Sequence, residues 1–142
     1  MSRISLVRDR LERADGLAAV LDAAYDAFED ILLAIRAHEN PADGTFIPLV
    51  MAAASAAEGR NAIVFAPSLP SRRLHPASTR DEPPDPANVE DITAALAVLS
   101  ELLATRLTDA AGSAPGHTDQ TACYEAARAA RDIHSLLTGS GL

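Results

Sequence analysis

Tyr124, Arg128 and Arg131 stand at i, i+4 and i+7, with His134 next along the same row. Residues spaced this way share one face of a helix. Two guanidinium forks beside a phenol and an imidazole suit an anionic ligand or an acidic partner helix. Glu125 and Asp132 on the same stretch offer a simpler role, as partners in surface ion pairs of small worth. A second cluster is acidic: Asp22, Asp26, Glu29 and Asp30. Acids three or four apart on a helix can hold a divalent cation or a basic partner. The Glu-x-x-His pairs of di-iron helical proteins are missing, and a solvated outer face accounts for the cluster.

The four histidines, His38, His75, His117 and His134, give no pair with metal-ligand spacing on one helix. His38 and His134 fall near expected helix C-termini, where a cation is favoured. Cys123 is the only cysteine, so no internal disulfide and no cysteine-based zinc cluster can form. It sits near the start of a helix, which can activate a thiol, but on the apolar row, where free cysteine packs as a small hydrophobe. Taken together, these residues form no catalytic constellation and imply neither metal nor cofactor.

All 12 basic residues are arginine. Without lysine there is no Schiff-base chemistry and no Walker-type phosphate loop. The net charge of −8 argues against a general nucleic-acid-binding face. Arg3, Arg8, Arg10 and Arg13 nevertheless make the first residues locally basic beside an acidic body. The charged N-terminus is unlike a signal peptide, and no apolar run reaches the length of a membrane span, so a cytoplasmic protein is expected.

The elements that must position these groups are helices. Alanine dominates with 30 residues, Leu is common, and aromatic and β-branched residues are scarce. Ile4, Val7, Leu11, Ala14, Ala18, Leu21, Tyr25, Phe28, Leu32 and Ile35 alternate steps of three and four, which predicts one long helix over about 3–38. Gly16 falls on the outer face of that pattern, so at most a kink is expected at Asp15-Gly16. A second helix over about 46–66 carries apolar or small residues on every side and is expected to be central. Its rows run Ile47, Met51, Ala54, Glu58, Ala62, Phe65 and Phe46, Val50, Ala53, Ala57, Arg60, Val64. Both rows pass through Asn61–Ala66, which makes that stretch a helix end and not a lone strand, with Ile63, Val64 and Phe65 as core anchors.

Six of the nine prolines lie in residues 67–86, a polar, flexible crossover. Within it Ser71-Arg72-Arg73-Leu74-His75-Pro76 has the composition of a docking segment, but a plain solvated linker accounts for it. Val89, Ile92, Leu96, Leu99, Leu103 and Leu107 mark a third helix, about 87–111, closed by Gly112. Cys123, Ala126, Ala130, Ile133 and Leu137 mark a fourth, about 118–138, capped by Thr118 or Asp119.

The fold expected is therefore all-α: a single-domain four-helix bundle over 1–142, with a long N-terminal helix and a long Pro-rich crossover between helices 2 and 3. The N-terminal third of the first helix has no evident partner in the same chain, which points to a homodimer. The function expected is non-catalytic: an interaction or regulatory protein acting through protein–protein contacts, on itself and on another protein. The alternative is a small-molecule-binding or enzymatic bundle. Its apolar pocket would lie among Tyr25, Phe28, Met51 and Phe65, with Arg128 or His134 supplying polarity.

Overall fold

The computed structural model describes residues 3–38, 46–69 and 89–139, and it is all-helical there. Five helices follow in order: α1 (Arg3–Arg13), α2 (Leu17–His38), α3 (Phe46–Val64), α4 (Val89–Ser113) and α5 (His117–Thr138). Asn61–Ala66 is indeed a helix end. Past Val64 the Phe65 N–H donates to the Ala62 carbonyl at 3.3 Å and the Ala66 N–H to the Ile63 carbonyl at 2.9 Å, before Pro67. Gly112 does not stop α4, which runs one residue beyond it. Gly139 closes α5 in the left-handed conformation, φ +72°. The expected crossover beyond Leu69, with the Ser71–Pro76 segment and His75, lies outside the described residues.

The first expectation to fail is the long N-terminal helix. The chain leaves α1 at Arg13 and begins α2 at Leu17, with Gly16 between them at φ +89°. An L-residue with a Cβ is strained at that angle, so glycine permits a full turn where the periodicity suggested only a kink. Val20 N–H then donates to the Gly16 carbonyl at 3.0 Å, opening α2. Folded back, α1 lies on α2 and α4. Arg10 pairs with both Asp22 and Asp26, and Arg106 of α4 donates to the Ala14 carbonyl at the hinge. The seam is covered by its own chain: Ile4 and Leu11 are buried. With the seam covered in this way, a second copy does not follow from it.

The other four helices touch in a closed cycle, α2 to α3, α3 to α5, α5 to α4 and α4 to α2. Their directions follow from the contacts at one end. Ser68, just past α3, bonds Asp119 in the first turn of α5, and Gln120 of that turn donates to the Ala111 carbonyl near the end of α4. Both α3 and α4 finish where α5 starts, so they run parallel to each other and antiparallel to α5, as a long crossover allows. A single cluster of buried residues draws on all five helices. Among the described residues no helix is long and apolar enough to cross a membrane.

Helix α3 is oriented against its side-chain sizes. Its buried row is Leu49, Ala52, Ala56, Gly59, Ile63 and Ala66, largely small residues. Its larger apolar residues Ile47, Val50, Met51, Val64 and Phe65 are exposed. The expected central helix is thus a peripheral one, and of the three expected anchors only Ile63 is buried. The reason lies across the interface. Phe28, fully buried, lays its ring on Gly59, and a Cβ built at Gly59 would stand 2.5 Å from the ring's Cε1 and Cζ. Only a helix row without bulk can approach α2 that closely.

Replacing Gly59 tests this contact. Gly59→Val is expected to destabilise the fold by about 1–3 kcal/mol through overpacking, despite valine's better helix propensity. Phe28→Leu in the same chain makes room, so the double variant is expected to lose less than the sum of the two single losses. Urea denaturation of the four proteins measures both.

Candidate functional site

The outward side of α3 is the most distinctive surface among the described residues. Ile47, Met51, Ala54, Glu58 and Phe65, one of the two rows read from the sequence, lie exposed along it. Phe65 is 77% and Ile47 68% exposed. Val50 and Val64 flank the row and are exposed too. A helix apolar all round is usually buried all round, and this one is buried on one side only. The charged residues of α3 are few. Arg60 turns aside, donating from Nη1 to Glu29 of α2 at 3.0 Å. Glu58 is left as the one charge along the outer row.

At the end of that face the chain is held in place. Ser68 gives two hydrogen bonds to Asp119, from its backbone N–H to Oδ1 at 3.0 Å and from its hydroxyl to Oδ2 at 2.6 Å. Asp119 is buried. The helix it belongs to starts at Gly116, whose extended backbone takes the cap position with no side-chain cap. Asp119 therefore does not cap α5 in the way its place suggested; its carboxylate ties the exit of α3 to the entry of α5. A carboxylate in the first turn is also favoured by the helix dipole. One turn further on, Cys123 is fully buried. Burial, assisted by the Asp119 charge, pushes its thiol from 9.0 up to about 11. Cys123 is a packing residue and the opposite of an activated thiol.

The polar face of α5 divides. Tyr124 and Arg128 are exposed. Arg131 reaches across to α4, donating from Nη2 to the Thr108 hydroxyl at 2.9 Å. His134 lies 3.0 Å by Nδ1 from the Ala97 carbonyl, which only accepts, so Nδ1 is the donor in that contact. Arg131 and His134 line an open groove of about 480 Å³ between α4 and α5, with Thr105, Thr108, Glu101 and Asp109. Two cationic or basic groups face two acids there, which leaves no strong preference for an anion.

The structure does not gather Tyr25, Phe28, Met51 and Phe65 around a pocket. Tyr25 is half-buried, Phe28 is packed on Gly59, and Met51 and Phe65 face outward. The acidic cluster of α2 is not simply solvated either. Asp22 and Asp26 hold Arg10, Glu29 holds Arg60, and Asp30 is buried. Among the described residues no three His, Cys, Asp or Glu side chains are placed to hold a metal. Sequence reasoning missed the Ser68–Asp119 tie. Its only signal was an acid near a helix start, which reads first as a cap. No protein family, curated protein or solved structure matches this chain in comparisons with each.

Two outcomes check the α3–α5 tie. Asp119→Ala is expected to cost about 2 kcal/mol, since it strips two bonds to an ionised acceptor, and Asp119→Asn less because it keeps one acceptor oxygen. The Cys123 thiol is held above its ordinary value by folding, so its protonated form stabilises the native state. That contribution is complete below about pH 9 and is lost as pH rises towards 11. Denaturation midpoints should fall across that window, and fall less in Cys123→Ala.

Proposed function

We propose that this protein is a non-catalytic helical interaction protein that works as a homodimer, with the outer face of α3 as its contact surface. In this reading α2–α5 act as a four-helix bundle and α1 as a fifth, strapped element. The observation that carries it is the inverted α3, which turns its small residues to the core and its large apolar residues to water. Leaving Ile47, Met51, Val64 and Phe65 exposed forgoes about 1.5–3 kcal/mol for each side chain that a partner could bury. Exposed apolar patches of this kind mark interaction sites.

A second copy fits the pattern of that face. The apolar residues lie in two groups, Ile47–Met51 at one end and Val64–Phe65 at the other, with Ala54, Glu58 and Asn61 between. The groups are about 20 Å apart along the helix. An antiparallel second α3 sets each group on the opposite group of its partner, as two-fold symmetry requires. Charge supports the same surface. The chain carries a net −8 and repels its own kind in general, while the α3 face presents one acid.

The second reading, a small-molecule-binding bundle, has the α4/α5 groove in its favour. It ranks lower because that groove is open and mixed in charge, and because the expected apolar pocket residues do not meet.

Polar replacement separates the dimer from the fold. Met51→Ser with Phe65→Ser is expected to weaken self-association at least tenfold, while changing monomer stability by no more than about 0.5 kcal/mol per exposed site. Sedimentation equilibrium across a concentration series reads the first, and urea denaturation the second. A wild-type chain that remains monomeric at high micromolar concentration overturns the dimer.

A further inference from the structure

The apolar seam of α1 and α2 is continuous in the sequence, yet the structure folds it in half. Ile4, Val7, Leu11 and Ala14 keep the same three-four rhythm as Leu21, Tyr25, Phe28, Leu32 and Ile35, with no slip at the hinge. Such continuity is the pattern of one straight helix of about 54 Å. Both halves are amphipathic in phase, and only Ala14–Gly16 separates them. The chain therefore encodes two arrangements of one segment, a hairpin and a rod, that differ in the backbone of a three-residue hinge.

We propose that α1 is an exchangeable arm: it swings out at Gly16 to continue α2 as a single helix, and packs on the α2/α4 surface of a second copy. This goes beyond the α3 contact and does not rest on it.

Several features of the hinge support exchange. Gly16 is at φ +89° and, its chain neighbours aside, has no atom within 4 Å of where a Cβ would be, so the turn exists through backbone freedom and not through packing. The hinge is short, and short connections between packed helices favour exchange between chains over closure within one. The groups that latch α1 down are a chain-independent set: Arg10 on Asp22 and Asp26, and Arg106 on the Ala14 carbonyl. An arm from a second copy presents the same Arg10 to the same carboxylates. The Arg106 latch is incomplete, since its Nε is buried without a hydrogen-bond partner among the described residues. The rod also fixes the occupant. Opening α1 uncovers Ile4 and Leu11 and vacates the surface on α2 and α4 that held them, and an identical arm fills that surface without new chemistry.

The test uses full-length chains carrying Met51→Ser and Phe65→Ser, so that dimers through α3 are removed. Gly16→Ala disfavours each closed hinge about tenfold, and two hinges per dimer shift the monomer–dimer constant about a hundredfold towards dimer. Gly16→Asn tolerates a positive φ and is expected to keep the distribution of the parent. Light scattering after size exclusion reads both. A Gly16→Ala protein that is folded and as monomeric as its parent overturns the proposal.

A second arm does not depend on Gly16→Ala folding. One chain carries Arg10→Glu and the other Asp22→Arg with Asp26→Arg, both with the natural glycine. Each chain alone sets like charges together when closed. Refolded as a mixture they restore opposite charges only by exchange, so a heterodimer is expected, seen by native mass spectrometry. Its absence from a soluble mixture overturns the proposal, as does a Gly16→Ala dimer in which the charge-altered chains show no preference for each other.

Discussion

The ring of Phe28 on the bare backbone of Gly59 governs the arrangement of this protein. Among the described residues it is the largest fully buried side chain, and it meets α3 at that helix's one position with no Cβ. The contact requires α3 to turn its narrow row inward, and that row continues as Ala52 and Ala56 in one direction and Ile63 in the other. The orientation of α3 in turn decides what the surface looks like. Every large apolar residue that the inner row cannot accommodate is carried to the outside, where it meets water or a partner. The proposed interface is thus a by-product of close helix approach in the core, and the two cannot be altered independently along α3.

How much of this the sequence discloses depends on contrast between helix faces. In α4 the contrast is strong: Ile92, Leu96, Leu99, Leu103 and Leu107 form a row of large residues among polar ones, and all five are buried. In α5 Cys123, Ala126, Ala130 and Ile133 are buried as their spacing predicts. In α3 there is no contrast, because alanine is at home on either side and every row holds apolar residues. Periodicity identifies the helix and says nothing of its rotation, and the size of Phe28 on another helix settles it. The break after α1 was hidden for a related reason. A hairpin of two in-phase amphipathic helices has the same pattern as one rod, and a single glycine on the outer face reads as a weak point, not as a reversal.

The arginines show a second kind of information that a linear reading lacks. With no lysine in the chain, every cationic contact is made by a planar, multidentate group. Arg10 and Arg60 each cross from one helix to another and Arg106 reaches the α1–α2 hinge, so the acids of α2 that look like a solvated face act as receiving points for α1 and α3. Exposed ion pairs of this type add little to stability singly. Their placement matters more for specificity, because they tell α1 and α3 which side of α2 to occupy.

The parallel course of α3 and α4 has a consequence for the order of assembly. As the chain is synthesised, α2 and α3 can pair as a local hairpin and α4 can join α2, but the second neighbour that α3 and α4 share, α5, emerges only after them. Until then the sides of α3 and α4 that face α5 stay uncovered, and the Ser68 hydroxyl waits for a carboxylate 51 positions further along. Contacts over such separations slow folding relative to those of simple up-and-down helical chains. Of the five helices α5 emerges after the others and closes the core, so until it is made the small-residue row of α3 and the leucine row of α4 are not yet sealed together.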